Sequence, residues 1–216
     1  LHSPWQQSRA ALPEPLTLLI QLSRGRLSAL VAFSGLAGYL FASRSWDLQG
    51  LQVGIAILLL SAGCSALNQW QERKIDARME RTRIRPLPTG RLQPRQVLLT
   101  SLFLLTSGLL LLAPLPGWSP LLLGGFAIIW YNGVYTSLKR ITAYAVLPGA
   151  LCGALPPLIG WYAAGNDPAA FPVIILAGTL FLWQMPHFWL LASCHRNDHQ
   201  QSGLPNLFAQ FNHHRL

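Results

Sequence analysis

The sequence is poor in charge and in cysteine. Only 11% of its 216 residues are Asp, Glu, Lys or Arg, whereas soluble domains carry about 25%. The three cysteines, Cys64, Cys152 and Cys194, are scattered without C-x-x-C spacing, which argues against a disulfide framework or a zinc site. The first 15 residues contain three prolines, and no A-x-A site follows that would indicate a secretory signal. These absences exclude a disordered chain and disfavour an ordinary water-soluble domain.

Apolar residues, by contrast, make up 51% of the chain. A helix needs about 20 mostly apolar residues to cross the hydrocarbon core of a bilayer. Six stretches of suitable length and composition are present, at about 26–43, 51–70, 96–113, 119–138, 143–163 and 171–194. The sequence therefore predicts an all-α, polytopic transmembrane helical bundle with six spans in a lipid bilayer.

The charges are lopsided, with 16 Lys and Arg against 7 Asp and Glu, a formal net charge of +9. A basic balance can indicate nucleic-acid binding, but such binders are rarely this apolar, so we expect no nucleic-acid partner. With six spans, every cation except Arg44 falls on one side, and the positive-inside rule then predicts that both termini are cytoplasmic. The expected organisation is an N-terminal arm at 1–25, a transmembrane domain at 26–194 with a cytoplasmic loop at 71–95, and a tail at 195–216.

A stripe of oxygen-bearing side chains ends the second span. Asn68, Glu72 and Asp76 recur every four residues, so on a continuing helix they share one face. Magnesium prefers such ligands, commonly one or two carboxylates together with phosphate oxygens. Nearby cations could bind a diphosphate: Arg73, Arg81 and Arg85. A solvated, salt-bridged helix end is the alternative interpretation of the same spacing.

Three blocks resemble a known family. The first is Asn68-x-x-x-Glu72-x-x-x-Asp76-x-x-Met79-Glu80-Arg81-Thr82-x-x-Arg85-Pro86-Leu87, the second covers 131–140 and 153–160, and the third is Trp183-Gln184-Met185-Pro186-His187-Phe188. The first block is similar to the first signature of the intramembrane UbiA-type prenyltransferases. All three together, within about 22–207, resemble most closely the heme-farnesylating branch of that superfamily.

The resemblance implies an enzyme that transfers a farnesyl group from farnesyl diphosphate to a vinyl group of heme B, which gives heme O. Heme B is then a substrate and not a prosthetic group, and Mg2+ is the cofactor. The implied catalytic and metal-binding residues are Asn68, Glu72, Asp76 and Asp198. The implied substrate-binding residues are Arg73, Arg81, Arg85, Lys139, Arg140, Tyr131, Tyr135 and His187.

The second acidic motif of the family departs from its usual pattern here. The corresponding run is His195-Arg196-Asn197-Asp198-His199, followed by Gly203-Leu204-Pro205. Asp198 is retained, but Asn197 and His199 replace the residues usual in the family, and His195 stands where Arg is usual. One carboxylate is therefore expected in this motif, which puts the binding of a second metal ion in question.

His187 lies within the last predicted span, where a buried histidine is costly and often faces a functional interior. A neutral imidazole is also a good ligand for heme iron. The alternative is a structural histidine that bonds a backbone carbonyl freed by Pro186. The sequence leaves both interpretations open.

Family members usually have nine spans, so the resemblance implies further helices, and we expect this chain to be a truncated form. A naturally short protein that forms a homo-oligomer is the alternative. The resemblance also implies a bacterial inner membrane, an active site on the cytoplasmic side, and heme A synthase or oxidase assembly factors as partners. Three other functions stay open: prenyl transfer to a quinone precursor, a non-catalytic heme-binding relative, and a transporter, which the lack of charge deep within the spans disfavours.

Overall fold

The computed structural model describes residues 13–167 and 170–194, and every regular element within these ranges is helical. The α-helices, in chain order, are α1 (Glu14–Leu22), α2 (Gly25–Ser43), α3 (Leu48–Asp76), α4 (Pro94–Leu112), α5 (Ser119–Ile128), α6 (Thr136–Leu138), α7 (Val146–Ala163) and α8 (Phe171–Cys194). A π-helical segment, Ile129–Tyr135, joins α5 to α6, and a 3-10 turn, Ala143–Ala145, precedes α7.

Six helical stretches are long and apolar enough to cross a membrane, so the prediction of an all-α bundle with six spans is confirmed. Most of their ends lie within two residues of the predicted ones. The second span is longer than predicted, because α3 runs without a break from Leu48 to Asp76. Helix α1 was not predicted, since its nine residues are too few for a span.

Local sequence explains where helices α3 and α4 begin. Asp47 begins α3, where its side chain accepts a hydrogen bond of 2.8 Å from the backbone N–H of Gly50, as N-cap residues do. Pro94 opens α4, preceded by Gln93, whose backbone N–H donates to the side chain of Gln96. Both helices therefore begin at residues that satisfy or dispense with the first free N–H groups.

Helices α2 and α7 cross with their backbones in contact, because glycine leaves room for the approach. A Cβ on Gly38 would collide with the Pro157 carbonyl group, and one on Gly160 would collide with the Gly35 carbonyl oxygen. The same small-residue principle governs close helix packing in membranes. This crossing fixes α7 beside α2, and α8 packs along α7.

Helix α3 forms the middle of the bundle, where it packs against α2, α4 and α7. Its inward residues join the main apolar core, whose largest buried members include Tyr39, Val53, Ile57, Leu60, Leu105 and Leu112. Large apolar side chains on the outer faces stay exposed, among them Phe33, Phe103, Leu110, Leu122 and Leu182. That pattern is expected of helices whose outer surface meets lipid.

The π-helical segment widens one turn beside the lower half of α3. Its buried Asn132 donates hydrogen bonds to the Cys64 carbonyl oxygen (3.1 Å) and to Gln71 Oε1 (3.3 Å). Gln71 returns a hydrogen bond to the Asn132 carbonyl oxygen (3.1 Å). Wide turns of this kind are frequent at functional sites, and this one turns Tyr131 and Tyr135 toward the same cavity as the end of α3.

Candidate active site

The last two turns of α3 bury the predicted oxygen stripe. The exposed fractions are 0% for Asn68, 6% for Glu72 and 3% for Asp76. Charged residues are almost never buried to this degree unless they are paired. The burial is inconsistent with the alternative of a solvated helix end.

Each carboxylate is paired with a cation that comes from another part of the chain. Lys139 Nζ lies 2.7 Å from Glu72 Oε2, and Arg85 Nη1 lies 2.6 Å from Asp76 Oδ2. Lys139 directly follows α6, and Arg85 belongs to the loop between α3 and α4. Tertiary folding therefore assembles these pairs, which are not the neighbouring i, i+4 pairs of a surface helix.

The loop after α3 folds back over the helix end by local hydrogen bonds. The buried Thr82 donates from Oγ1 to the Asp76 carbonyl oxygen (2.9 Å). The Arg85 N–H donates to the Thr82 carbonyl oxygen (3.0 Å), and Gly90 takes a positive φ of 73° as the loop turns toward α4. This path brings the Arg85 side chain back to Asp76.

Burial and crowding of cations shape the electrostatics of the two pairs. Burial lowers the pKa of the Arg85 guanidinium, and the nearby positive charge of Arg24 lowers it further. Burial also lowers the pKa of Lys139, although the Glu72 carboxylate offsets part of that effect. Both cations are largely desolvated, which strengthens their electrostatic interaction with nearby anionic groups.

One cavity of about 780 Å³ joins these charged groups to the apolar interior, a volume within the usual range for small-molecule sites. Its charged end is lined by Arg24, Glu72, Asp76, Arg81, Arg85 and Lys139. Its apolar wall includes Leu27, Val31, Ile57, Leu60, Ile128 and Ile159. Tyr131 and Tyr135 line the cavity, as do Trp183, Gln184 and His187 of α8.

The charged end fits an anionic ligand. Among the lining residues that the structure describes, four are Arg or Lys and two are Asp or Glu. The excess of positive charge faces a cavity whose remaining wall is mostly apolar. A ligand with an anionic head and a long apolar tail is complementary to such a surface.

The residues also fit magnesium at the anionic head. Glu72 Oε1 is buried and has no hydrogen-bond partner, although leaving such an oxygen unsatisfied is costly. Within 13–167 and 170–194, no group of three His, Cys, Asp or Glu side chains could hold a metal ion by itself. Magnesium commonly takes only one or two carboxylates and fills its other positions with phosphate oxygens and water, and Glu72 and Asp76 supply that number.

Three of the predicted residues lie outside the cavity lining. Asn68 is buried one hydrogen bond away, with its Oδ1 3.4 Å from Arg24 Nη2. Arg73 folds back on its own helix, where it donates to the Trp70 carbonyl oxygen (2.8 Å) and covers the Trp70 ring. Arg140 is partly exposed and lies 3.9 Å from Glu72 Oε1. Asp198 lies outside the described residues.

Arg24 lines the cavity although its sequence position indicated only membrane orientation. It occupies the turn between α1 and α2 in a left-handed conformation, with φ of 49°, and so directs its side chain toward α3. The nearest residues in sequence, Ser23 and Gly25, carry no signal for a binding site. Only the fold, which brings residue 24 beside residue 68, identifies this cation.

Comparisons with known proteins agree with this geometry. A sequence model of the UbiA prenyltransferase family matches residues 31–216. The chain is 45% identical over 185 residues to a protoheme IX farnesyltransferase of Geobacter sulfurreducens. The aligned region covers 85% of this chain and 68% of that relative. It is 40% identical over 195 residues to the protoheme IX farnesyltransferase of Nitratidesulfovibrio vulgaris strain DP4, covering 90% of the chain and 68% of the relative.

Solved structures share the fold at low sequence identity. A digeranylgeranylglyceryl phosphate synthase structure superposes on this chain with a TM-score of 0.77 at 20% identity. The superposed region covers 92% of this chain and 70% of the synthase chain. A UbiA homolog from Archaeoglobus fulgidus, solved with GPP and Mg2+, superposes with a TM-score of 0.70 at 18% identity, covering 88% and 68%. At these identities the likeness extends to the arrangement of the helices.

Proposed function

The chain belongs to the UbiA prenyltransferase family, and from that premise we propose that it transfers a farnesyl group from farnesyl diphosphate to a vinyl group of heme B, which yields heme O. The proposal takes the donor and acceptor from the names of the relatives that are 40% or more identical to it. Mg2+ is proposed as the cofactor, in line with the Archaeoglobus fulgidus homolog that was solved with GPP and Mg2+.

The observation that carries the proposal is the buried Glu72 Oε1, which accepts no hydrogen bond and has Arg140 Nε 3.9 Å away, at the charged end of an otherwise largely apolar cavity. A buried carboxylate oxygen that accepts no hydrogen bond favours a ligand that brings a cation. The cations beside it favour an anion. A metal-bound diphosphate satisfies both, and the farnesyl chain matches the apolar remainder.

The side chains would divide the work as follows. When bound at Glu72 and Asp76, Mg2+ would neutralise charge that develops on the leaving diphosphate. Lys139 and Arg85 would donate hydrogen bonds to phosphate oxygens, which stabilises the same charge. The apolar wall around Leu60 and Ile128 would keep water from the allylic carbon while it is positively charged.

Bonds and charges balance in the proposed reaction. The bond between C1 of the farnesyl group and the diphosphate oxygen breaks, and its electron pair leaves with the diphosphate. The π electrons of the heme vinyl group form the new carbon–carbon bond. Water then adds to the resulting cation next to the porphyrin and loses its proton to the diphosphate. His187, at the α8 side of the cavity, is proposed to contact heme B.

The proposal also includes location. The cationic loop after α3 is expected on the cytoplasmic side of a bacterial inner membrane, together with both termini. Thiol labelling of single-cysteine variants in intact cells tests this orientation. We expect a cysteine at exposed Arg78 to react only after permeabilisation and one at exposed Trp46 to react in intact cells.

The activity is tested in membranes from a host that lacks its own heme O synthesis. Membranes that carry this chain are incubated with heme B, farnesyl diphosphate and Mg2+, and heme O is sought by mass spectrometry. We expect heme O from the wild type and at least about a hundredfold less from Asp76→Ala, because the variant loses a metal ligand and the partner of Arg85.

Glu80→Ala is the matched control. Glu80 is an exposed acid four residues from Asp76 and is paired with the exposed Arg83 at 3.7 Å, and its removal is expected to leave the rate unchanged. Heme retained without any heme O from the wild type would support a non-catalytic heme-binding protein instead. Prenylation of a quinone precursor but not of heme B would point to the other branch of the family.

A further inference from the structure

A short chain of hydrogen bonds connects the charged end of the cavity to the π-helical segment. Arg24 Nη2 donates to Asn68 Oδ1 at 3.4 Å. Asn68 Nδ2 donates to Thr136 Oγ1 at 3.1 Å. Thr136 Oγ1 in turn donates to the Tyr131 carbonyl oxygen at 2.8 Å. This series of hydrogen bonds ends at the Arg24 guanidinium, which can only donate, and at the Tyr131 carbonyl oxygen, which can only accept.

These ends determine the direction of every bond between them. A guanidinium has no acceptor, so Arg24 requires the oxygen of the Asn68 amide. A carbonyl has no proton, so the single hydroxyl proton of Thr136 goes to Tyr131. The Thr136 oxygen can then only accept from Asn68, which fixes the amide nitrogen on the Thr136 side and the amide oxygen on the Arg24 side.

The π-helical register makes this arrangement possible. The Thr136 backbone N–H also bonds the Tyr131 carbonyl oxygen, five residues earlier, so both groups of Thr136 meet one carbonyl. Asn68 is 0% exposed and Thr136 is 1% exposed. Water therefore has little access with which to replace the Thr136 hydroxyl as the partner of the amide.

We propose that Thr136 is a positioning residue that acts through Asn68: its hydroxyl holds the amide oxygen toward Arg24, which lines the charged end of the cavity, and keeps the amide nitrogen away from that guanidinium. The inference rests on the proposed function, because the placement of Arg24 affects metal–diphosphate binding only if that ligand occupies this end of the cavity. A flipped amide would direct N–H donors toward the Arg24 guanidinium and displace it. Partners that orient the groups of a metal site typically affect metal affinity about 10- to 100-fold.

Binding of Mn2+ in the presence of inorganic diphosphate, followed by electron paramagnetic resonance on purified protein, provides a readout that does not depend on turnover. Thr136→Val keeps the shape and removes the hydroxyl, and we expect Mn2+ to bind about tenfold more weakly. Thr136→Ser keeps the hydroxyl and is expected to restore wild-type binding. In the transfer assay, Thr136→Val should raise the Mg2+ concentration needed for half-maximal rate by a similar factor.

Thr106→Val is the matched control, since Thr106 is exposed on α4 and its hydroxyl donates to the carbonyl oxygens of Leu102 and Phe103 within its own helix. It should bind Mn2+ as the wild type does. If Thr136→Val fails to fold, Thr136→Ala removes the same hydroxyl and takes its place in the comparison.

Asn68→Asp tests whether Thr136 acts through the amide. A carboxylate presents oxygen in either orientation, so adding Thr136→Val to Asn68→Asp should change Mn2+ affinity by less than about twofold. An undiminished tenfold effect in that background would overturn the inference, as would unchanged affinity in Thr136→Val alone. A wild type that binds no Mn2+ with diphosphate would instead overturn the proposed function, and the inference with it.

Discussion

Helix α3 has carboxylates at both ends, and they differ in burial and in the groups that they contact. At its N-terminus, exposed Asp47 accepts hydrogen bonds from the Gly50 N–H (2.8 Å) and from the Tyr39 hydroxyl (2.8 Å to Oδ1). At its C-terminus, buried Glu72 and Asp76 are each paired with a cation, and one Glu72 oxygen accepts no hydrogen bond.

The helix dipole explains which end is costly. Negative charge is stabilised at a helix N-terminus and destabilised at a C-terminus, so Asp47 is favoured where it stands, while Glu72 and Asp76 are not. The Gly50 N–H, together with Tyr39, lowers the pKa of Asp47. Asp47 is thus a structural cap with its partners in place, whereas the C-terminal pair depends on distant cations and retains bonding capacity for a ligand.

The largest expected effect comes from removing Lys139, the cation paired with Glu72 at the C-terminal end of α3. Lys139→Met deprives buried Glu72 of its closest partner and the proposed diphosphate of a donor, so heme O formation should fall about a hundredfold. Stability should fall as well, since an unpaired buried charge is left behind. Steady-state transfer rates and thermal unfolding in detergent measure the two effects.

Arg140→Met is the control for Lys139. The Arg140 side chain is 39% exposed and lies 3.9 Å from Glu72, and such exposed pairs contribute little. Its rate should change by less than about threefold. Equal losses in both variants would contradict the distinction between the buried pair and its exposed neighbour.

A smaller effect is expected at Arg85, which shares the cavity with Asp76. Arg85→Gln should raise the KM for farnesyl diphosphate roughly tenfold, because a charge-assisted donor is lost. Arg73→Gln should leave KM unchanged, since Arg73 lies against Trp70 and does not line the cavity. A higher KM in Arg73→Gln would mean that the side chain reaches the substrate after all.

Substitutions of Asp47 are expected to leave farnesyl transfer unchanged and to alter only the stability of the protein. Asp47→Ala should lower the melting temperature because the cap is lost, and Asp47→Asn should lower it less because an amide oxygen can still cap. The difference between wild type and Asp47→Ala should be full above about pH 4, the unfolded-state pKa of Asp. It should shrink as the pH falls through the lower pKa of the folded state. Loss of transfer in Asp47→Ala at neutral pH would show that the two ends of α3 are not separate in function.

Much of the fold follows from the sequence because membrane spans need long apolar runs. All six spans were predicted, since the interior of each apolar stretch is nearly free of charge. The end of α3 was underestimated because Gln71, Glu72, Arg73 and Lys74 are too polar for hydrocarbon, yet helix propensity and tertiary pairing continue the helix through them to Asp76.

The site was predictable where ligands share one element and not where folding joins distant ones. The four-residue spacing of Asn68, Glu72 and Asp76 indicated a common face, and the burial of all three agrees with it. Nothing in the spacing indicated that Arg24 bonds Asn68 or that Arg73 turns toward Trp70. Residues on neighbouring helical positions point in different directions, so flanking charge alone does not identify a phosphate ligand.

The central claim is that the carboxylates at the C-terminal end of α3 hold a diphosphate through a divalent cation. Electron–nuclear double resonance tests it directly, on protein loaded with Mn2+ and farnesyl thiodiphosphate, an analogue that resists ionisation. The account predicts phosphorus coupling to the bound Mn2+ in the wild type and its loss in the Glu72→Gln, Asp76→Asn double variant. Phosphorus coupling that persists unchanged in the double variant, or Mn2+ bound to the wild type without it, would contradict the account.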